Sequence, residues 1–276
     1  MKNENLMISD KWKMKVVIVI PCYNEEKILE KNIKEVLDTI KNLPQDIKIV
    51  ISDNNSKDKT AEIGKQLANE NEKIEYILVG QPGKGAAVME AWKQYDADVY
   101  GFMDADLATE LEALPLAIKY LSPTQPPPFA KEGGDDASPT SPPPFAKEGG
   151  NADGYDIVIG SRRIKGAKAE RELYRKFTSA VLNLLVKLLL GTEIKDTACG
   201  FKFFKKEALI KILPQIKDRK FVFDTELLII AERAGFKIKE IPVEWEEKGE
   251  RGSSVNVYPT AMEYLKKIWV MRKELQ

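Results

Sequence analysis

Apolar and polar positions alternate along the chain in a pattern of short buried strands and amphipathic helices. Val16-Val17-Ile18-Val19-Ile20 is an unbroken apolar run, as expected of a strand covered on both faces. Asn24 is placed to cap the next helix, with Glu25 and Glu26 in its first turn. Ile28, Leu29, Ile33, Val36, Leu37 and Ile40 give that helix an apolar stripe. Residues 47–51 predict a second strand, 52–58 a polar turn, and the residues up to Leu67 a helix. Residues 74–79 predict a third strand, 80–85 a Gly-containing loop and 86–95 a helix. Val99-Tyr100-Gly101-Phe102-Met103 predicts a fourth strand, and Thr109 with Glu112 reads as a capping box for the helix beyond it. This βαβαβαβ order implies a mostly parallel, doubly wound sheet. Ligands of such sheets lie outside the C-terminal ends of the strands.

Residues 122–154 break the pattern. Pro126-Pro127-Pro128-Phe129-Ala130-Lys131-Glu132-Gly133-Gly134 recurs from Pro142 to Gly150. Two Pro- and Gly-rich copies are too few for a solenoid and too poor in apolar residues to pack. The segment reads as a disordered insertion between a helix and the next strand. That strand, 157–159, ends in Gly160-Ser161-Arg162. A long apolar helix over 171–190 follows, then a loop at 196–201 and a short helix from Lys206. A helix at 224–234, an alternating strand at 238–245 and a last helix from Pro259 complete the chain. The expected organisation is an N-terminal tail (1–14), one α/β domain (15–121 and 155–258), the insertion, and a C-terminal basic amphipathic helix (259–276). On that helix Ala261, Tyr264, Leu265, Ile268 and Trp269 share a side, with Lys266, Lys267, Arg272 and Lys273 nearby. It suits either a membrane interface or docking on the sheet with a solvated basic face.

Composition narrows the chemistry. Lys plus Arg equals Asp plus Glu at 43 each, so no global field draws the chain to nucleic acid. There are 2 Cys, which excludes a disulfide framework or a Cys-rich zinc site and fits a reducing cytoplasm. There are 0 His, which excludes a Ser-His-Asp triad, a His general base and every His-ligated metal. Residues 1–15 are polar and charged, without a signal-peptide pattern. No apolar run reaches the ~20 residues of a spanning helix.

The candidate chemistry lies at the strand ends. Asp104-Ala105-Asp106 follows the fourth strand. Alone it is any acidic turn. As a site it suits Mg²⁺ or Mn²⁺, which take oxygen ligands from one or two carboxylates and from substrate phosphates. A parallel sheet would bring it beside Pro21, Tyr23 and Glu25, beside Asp53 and Asn54, and beside Lys84. Together these offer stacking (Tyr23), nucleoside hydrogen bonds (Glu25, Asp53), phosphate charge (Lys84) and a metal seat (Asp104, Asp106). Gly83-Lys84-Gly85 does not match a Walker loop.

In this order, Pro21-x-Tyr23-Asn24-Glu25, Asp53-Asn54-Asn55-Ser56-x-Asp58-x-Thr60, Gly83-Lys84-Gly85 and Asp104-Ala105-Asp106 resemble the family 2 glycosyltransferases of the Rossmann-like GT-A fold. Downstream, Gly160-Ser161-Arg162, Asp196-Thr197-x-Cys199-Gly200-Phe201-Lys202, Phe223-Asp224-x-Glu226-Leu227-Leu228 and Val243-x-Trp245 resemble the polyprenyl-phosphate sugar transferases. Among these they are nearest the dolichyl-phosphate β-glucosyltransferases, with the mannose synthases next. The resemblance implies transfer of one hexose with inversion, from UDP-glucose or GDP-mannose to a polyprenyl phosphate. It departs at Asn54, where the family usually has Asp, and at Ala108, where the mannose synthases carry Gln.

A phosphate acceptor is largely ionised at neutral pH, since its second pKa is about 6. It needs cations more than a base, and Arg162, Arg171, Arg175 and Lys202 are the candidates. A soluble or polysaccharide acceptor would instead need a base, Asp224 or Asp196. Asp106, Arg162 and Asp224 are thus the expected catalytic residues, and peripheral association with the cytoplasmic face of a membrane is the expected location.

Overall fold

The computed structural model describes residues 13–122, 154–170, 173–246 and 257–274, with side chains outside 169–180 and 257–261. The apolar run of β1 (Lys15–Cys22) lies between β2 (Asp46–Asp53) and β4 (Val99–Met103), parallel to both. With β3 (Ile74–Leu78), β5 (Ile157–Ser161), β7 (Phe201–Lys205) and β8 (Ile238–Pro242) these form one seven-stranded sheet, ordered β3-β2-β1-β4-β7-β5-β8. Only β7 runs antiparallel to its neighbours β4 and β5. Two short strands, β6 (Lys168–Glu170) and β9 (Glu244–Glu246), pair separately.

The sheet is a single α/β layer with helices on both faces. α1 (Leu29–Ile40), α2 (Thr60–Glu70) and α4 (Ala113–Leu121) cover one face through Leu29, Ile33, Val36, Leu67, Leu114 and Ile118. α3 (Lys84–Trp92), α6 (Lys206–Ile212) and α7 (Phe223–Arg233) cover the other through Val88, Trp92, Leu209, Phe223 and Leu227. A third cluster joins α5 (Leu173–Leu190) and α8 (Val257–Glu274) to α7 and its N-cap through Val186, Leu190, Val222, Ile229, Ile268 and Met271.

Three expectations change. Residues 201–205 form a strand where the sequence pattern predicts the end of a loop. Phe201, Phe203 and Phe204 are buried on both faces of the sheet, so the segment shows neither a half-buried alternation nor an aliphatic run. Asn24 is not a helix cap: it sits at φ 58° and its Oδ1 accepts from the Lys57 amide (2.7 Å), while α1 begins at Leu29. Thr109 forms no capping box either. It bridges to Trp245 across β9, and its hydroxyl faces Cys199 Sγ at 3.7 Å. Tertiary pairing outcompetes local capping at both positions. The Pro-rich repeat lies outside the described residues.

Candidate active site

β1, β2, β4, β5 and β8 all point their C-terminal ends at one edge of the sheet. The antiparallel β7 delivers its N-terminal end, and with it Cys199 and Gly200, to that same edge. The Asp104 amide donates to the Gly200 carbonyl (3.0 Å). A Cβ built on Gly200 would lie 1.9 Å from Asp104 Oδ2, so only glycine lets the 196–201 loop press against this carboxylate. β9 holds the other side of the turn: Glu246 N–H donates to the Ala108 carbonyl (3.0 Å), and Glu110 N–H to that of Glu244 (3.1 Å). Leu107 takes the left-handed conformation, φ 46°, that bends the chain between Asp106 and Ala108.

Asp104 is 42% exposed, and Asp106, partly buried, accepts from the Ala108 amide (3.1 Å). Burial, and then the charge of Asp104, raise the Asp106 carboxyl above its ordinary range. Two carboxylates that repel each other in a partly desolvated turn could together hold a hard cation. Among the described residues no group of three or more His, Cys, Asp or Glu could enclose a metal. Two protein carboxylates, with the remaining positions left to phosphate oxygens and water, fit Mg²⁺ or Mn²⁺ and do not fit a structural zinc.

Lys84 opens α3 and spans the site. Its Nζ lies 2.7 Å from Asp104 Oδ1 and 3.0 Å from Asp224 Oδ2, and it sits over the Phe102 ring at 4.9 Å. Burial disfavours its charge, but Asp104 and Asp224 outweigh that and raise its pKa. Gly83, at φ 128°, lets the preceding loop pass within contact of the Arg219 carbonyl. The carbonyls of Lys220 and Arg219 take the Gly85 and Ala86 amides (3.1 and 2.8 Å). The first turn of α3 is therefore occupied, and Lys84 is what it offers to an anion.

The other expected residues separate into rim and scaffold. Tyr23 is 55% exposed at the end of β1, free to stack. Pro21 is a β1 residue in register with Ser52. Glu25 is buried, and its carbonyl accepts from Ile28 and Leu29 at the start of α1. Asp53 is wholly buried. Its oxygens accept from the Ser56 amide (2.9 Å) and the Tyr76 hydroxyl (2.8 Å), so it braces the turn after β2. Asn54 donates to the Gln81 carbonyl (2.6 Å) and accepts from the Gly83 amide (2.6 Å). A carboxylate there could not donate, so the amide suits this chain's own 79–83 loop.

The proposed phosphate cations are also redistributed. Arg162 is not a free guanidinium. Its Nε and Nη2 donate to Asp196 Oδ2 and Oδ1 (2.6 and 2.7 Å), and the ion lies over Trp245 at 5.8 Å. Burial disfavours the Arg162 charge, but Asp196 outweighs it and raises the pKa. Reciprocally, Arg162 holds the Asp196 carboxyl below its ordinary range against burial. Lys202 is fully buried, donates to the Cys199 carbonyl and lies 3.5 Å from Asp224 Oδ1. It offsets the charge of Asp224 and is itself shut off from solvent. Glu226 accepts the Lys217 and Asp218 amides (3.1 and 2.8 Å), a structural role. Arg171 and the side chain of Arg175 lie outside the described residues. Glu240 is a residue that the sequence pattern does not single out, and Gly200 is marked there only as part of a motif. Glu240 accepts from the Asp196 amide (3.1 Å). The partners of both are distant in the chain, so the close approach of Gly200 to Asp104 and the bond of Glu240 to Asp196 carry no local signal.

Residues 17–126 match the model of "Glycosyl transferase family 2". The chain is 35% identical over 241 residues to dolichyl-phosphate beta-glucosyltransferase ALG5A of Trichomonas vaginalis, covering 83% of this chain and 65% of that protein. It is 30% identical over 240 residues to glycosyltransferase AglD of Haloferax volcanii, covering 86% of this chain and 34% of that protein. It therefore spans between a third and two thirds of these relatives. A solved structure of glucosyl-3-phosphoglycerate synthase from Mycobacterium tuberculosis, with Mn²⁺, UDP and product, superposes at TM-score 0.61 and 15% identity, over 97% of this chain and 82% of that one. That likeness establishes a GT-A-like fold. The Asp-Ala-Asp turn at the carboxyl edge, the matched family model and these relatives agree: the chain belongs to glycosyltransferase family 2.

Proposed function

We propose that this chain transfers one hexose, glucose from UDP-glucose, onto a polyprenyl phosphate with inversion. The observation that carries the reading is Lys84 set between Asp104 and Asp224 beside the paired carboxylates of the turn. It suits a diphosphate leaving group, and it leaves Asp224 paired instead of free to act as a base. A bound Mg²⁺ or Mn²⁺, held by Asp104 and Asp106, would neutralise negative charge developing on that leaving group. Lys84 adds a second positive charge. Tyr23 supplies an open aromatic face for the base. Asp224 is compensated by Lys84 and Lys202, so its part is to orient Lys84. An ionised phosphate acceptor attacks the anomeric carbon without surrendering a proton, and the absence of His is then no obstacle. The relatives named as dolichyl-phosphate glucosyltransferases support the glucose donor. One named dolichol-phosphate mannosyltransferase, 27% identical, keeps GDP-mannose as the rival.

The acceptor implies a lipid surface. No helix among the described residues is long and apolar enough to cross a membrane. α5 and α8 instead leave Leu184 and Leu188, and Trp269 and Val270, exposed, and Arg272 and Lys273 flank Trp269 at 5.8 Å. An apolar stripe edged with cations suits peripheral binding at anionic lipid on the cytoplasmic face.

The test is label transfer from UDP-glucose and from GDP-mannose, in parallel, into organic-extractable product with Mn²⁺ and polyprenyl phosphate. UDP-glucose is expected to give product and GDP-mannose none. Leu184→Glu with Leu188→Glu should lower transfer to acceptor in vesicles by about tenfold, from the lost apolar contact, and spare acceptor in detergent. Label from GDP-mannose alone would transfer the reading to the rival donor.

A further inference from the structure

The Lys84 ammonium stands on Asp104, one of the two carboxylates that a divalent cation would use. Three carboxylates, Asp104, Asp106 and Asp224, here face two ammonium groups, Lys84 and Lys202. The two cations differ in freedom. Lys202 is fully buried and bonded to the Cys199 carbonyl, so it is fixed. Lys84 is 15% exposed and rooted at the first residue of α3, with its stem laid along the Phe102 ring. Rotation about its terminal bonds moves the charge without moving the helix.

We propose that Lys84 is an exchangeable counter-ion. It holds Asp104 and Asp224 together in the donor-free protein, opposes a divalent cation while no donor is bound, and passes from Asp104 to the donor diphosphate when metal and donor bind together. The inference rests on Asp104 and Asp106 being the metal seat. Its physical basis is charge balance. A cation that approaches Asp104 alone must either displace Lys84 or share the carboxylate with it, and like charges a few ångströms apart repel strongly in a partly dry site. A diphosphate removes that conflict by giving the ammonium a new partner. Metal and nucleoside diphosphate should therefore strengthen one another's binding, and by linkage the coupling is equal in both directions.

The experiment measures Mn²⁺ binding by paramagnetic resonance of free Mn²⁺, first alone and then with UDP, and needs no turnover. Lys84→Met removes the charge and keeps the apolar stem. It is expected to bind Mn²⁺ alone about tenfold more tightly than the unmodified protein, and to lose the part of the UDP strengthening that Lys84 supplies, keeping the part that comes from direct contact between Mn²⁺ and phosphate. Lys84→Arg keeps the charge and should leave Mn²⁺ affinity within about twofold. Thermal melting confirms that each variant is folded. Lys84→Met binding Mn²⁺ no more tightly than the unmodified protein overturns the proposal. Asp106→Asn, added to each background, separates the two levels. Binding that it abolishes belongs to the assigned seat, so equal affinities then refute the counter-ion role alone. Binding that it leaves untouched refutes the seat, and the counter-ion role with it.

Discussion

Asp106→Asn is expected to abolish nearly all hexose transfer, by about 10²- to 10³-fold, while the protein stays folded. The substitution keeps the shape of the side chain and its acceptor for the Ala108 amide, and removes only the charge. With one carboxylate left, the turn would hold a divalent cation poorly, and less positive charge would be available to a departing diphosphate. The same change should raise the melting temperature measured without metal. Burial and Asp104 raise the Asp106 carboxyl, so the folded state binds that proton more tightly than the unfolded state does. Ionised Asp106 therefore costs stability at pH values above the ordinary carboxylate range, and the cost fades as the pH falls through it. An asparagine side chain carries no such cost. Kinetics and melting on one preparation check both signs. A variant that is less stable and still active would show that Asp106 is scaffold.

The second large effect concerns stability. Arg162→Met is expected to destabilise the fold by about 3–5 kcal/mol, because it strands the buried Asp196 carboxylate. Asp196→Asn should cost a similar amount by stranding the guanidinium. The double variant should recover most of the loss. The backbone amide of residue 162 now donates to Asp196 Oδ2 at 3.0 Å, and the carboxamide oxygen introduced by Asp196→Asn can still accept that bond. Denaturant unfolding of the four proteins measures the coupling. Additive losses would mean that Arg162 is not engaged by Asp196 and stands free for an acceptor phosphate. The pair has a pH signature too. Its partner holds Asp196 below the ordinary carboxylate range, so this stabilisation is present above that range and is lost only as the pH falls beneath it.

The parallel half of the sheet was legible because its signals are local. Unbroken aliphatic runs such as 16–20 mark strands buried on both faces, and the strand ends that follow converge whenever the strands run parallel. The Asp104-Ala105-Asp106 turn and Lys84 gather at the carboxyl edge for that reason. What the sequence did not disclose depends on partners far away in the chain. β7 inserts between β4 and β5 on the strength of three Phe side chains that pack on opposite faces of the sheet. Asn24 and Thr109 look like caps until the 52–58 turn and β9 claim their polar atoms. Asp53, Arg162 and Lys202 have the chemistry of ligand-binding residues. Residue type alone cannot reveal that Tyr76, Asp196 and Asp224 already satisfy them. Charged side chains at the carboxyl edge are thus divided between open rim and scaffold by burial, and burial is a property of the assembled sheet.

The most direct test of the central claim, transfer to a phosphate without a protein base, compares polyprenyl phosphate with the polyprenol of the same chain length. Each is presented in detergent with UDP-glucose and Mn²⁺. The predicted result is product from the phosphate only, with a rate that rises through the second ionisation of the acceptor, near pH ~6, and then levels. Comparable transfer to the alcohol would contradict it, because a neutral hydroxyl must lose its proton to a base that Asp224, paired with Lys84 and Lys202, is not arranged to provide.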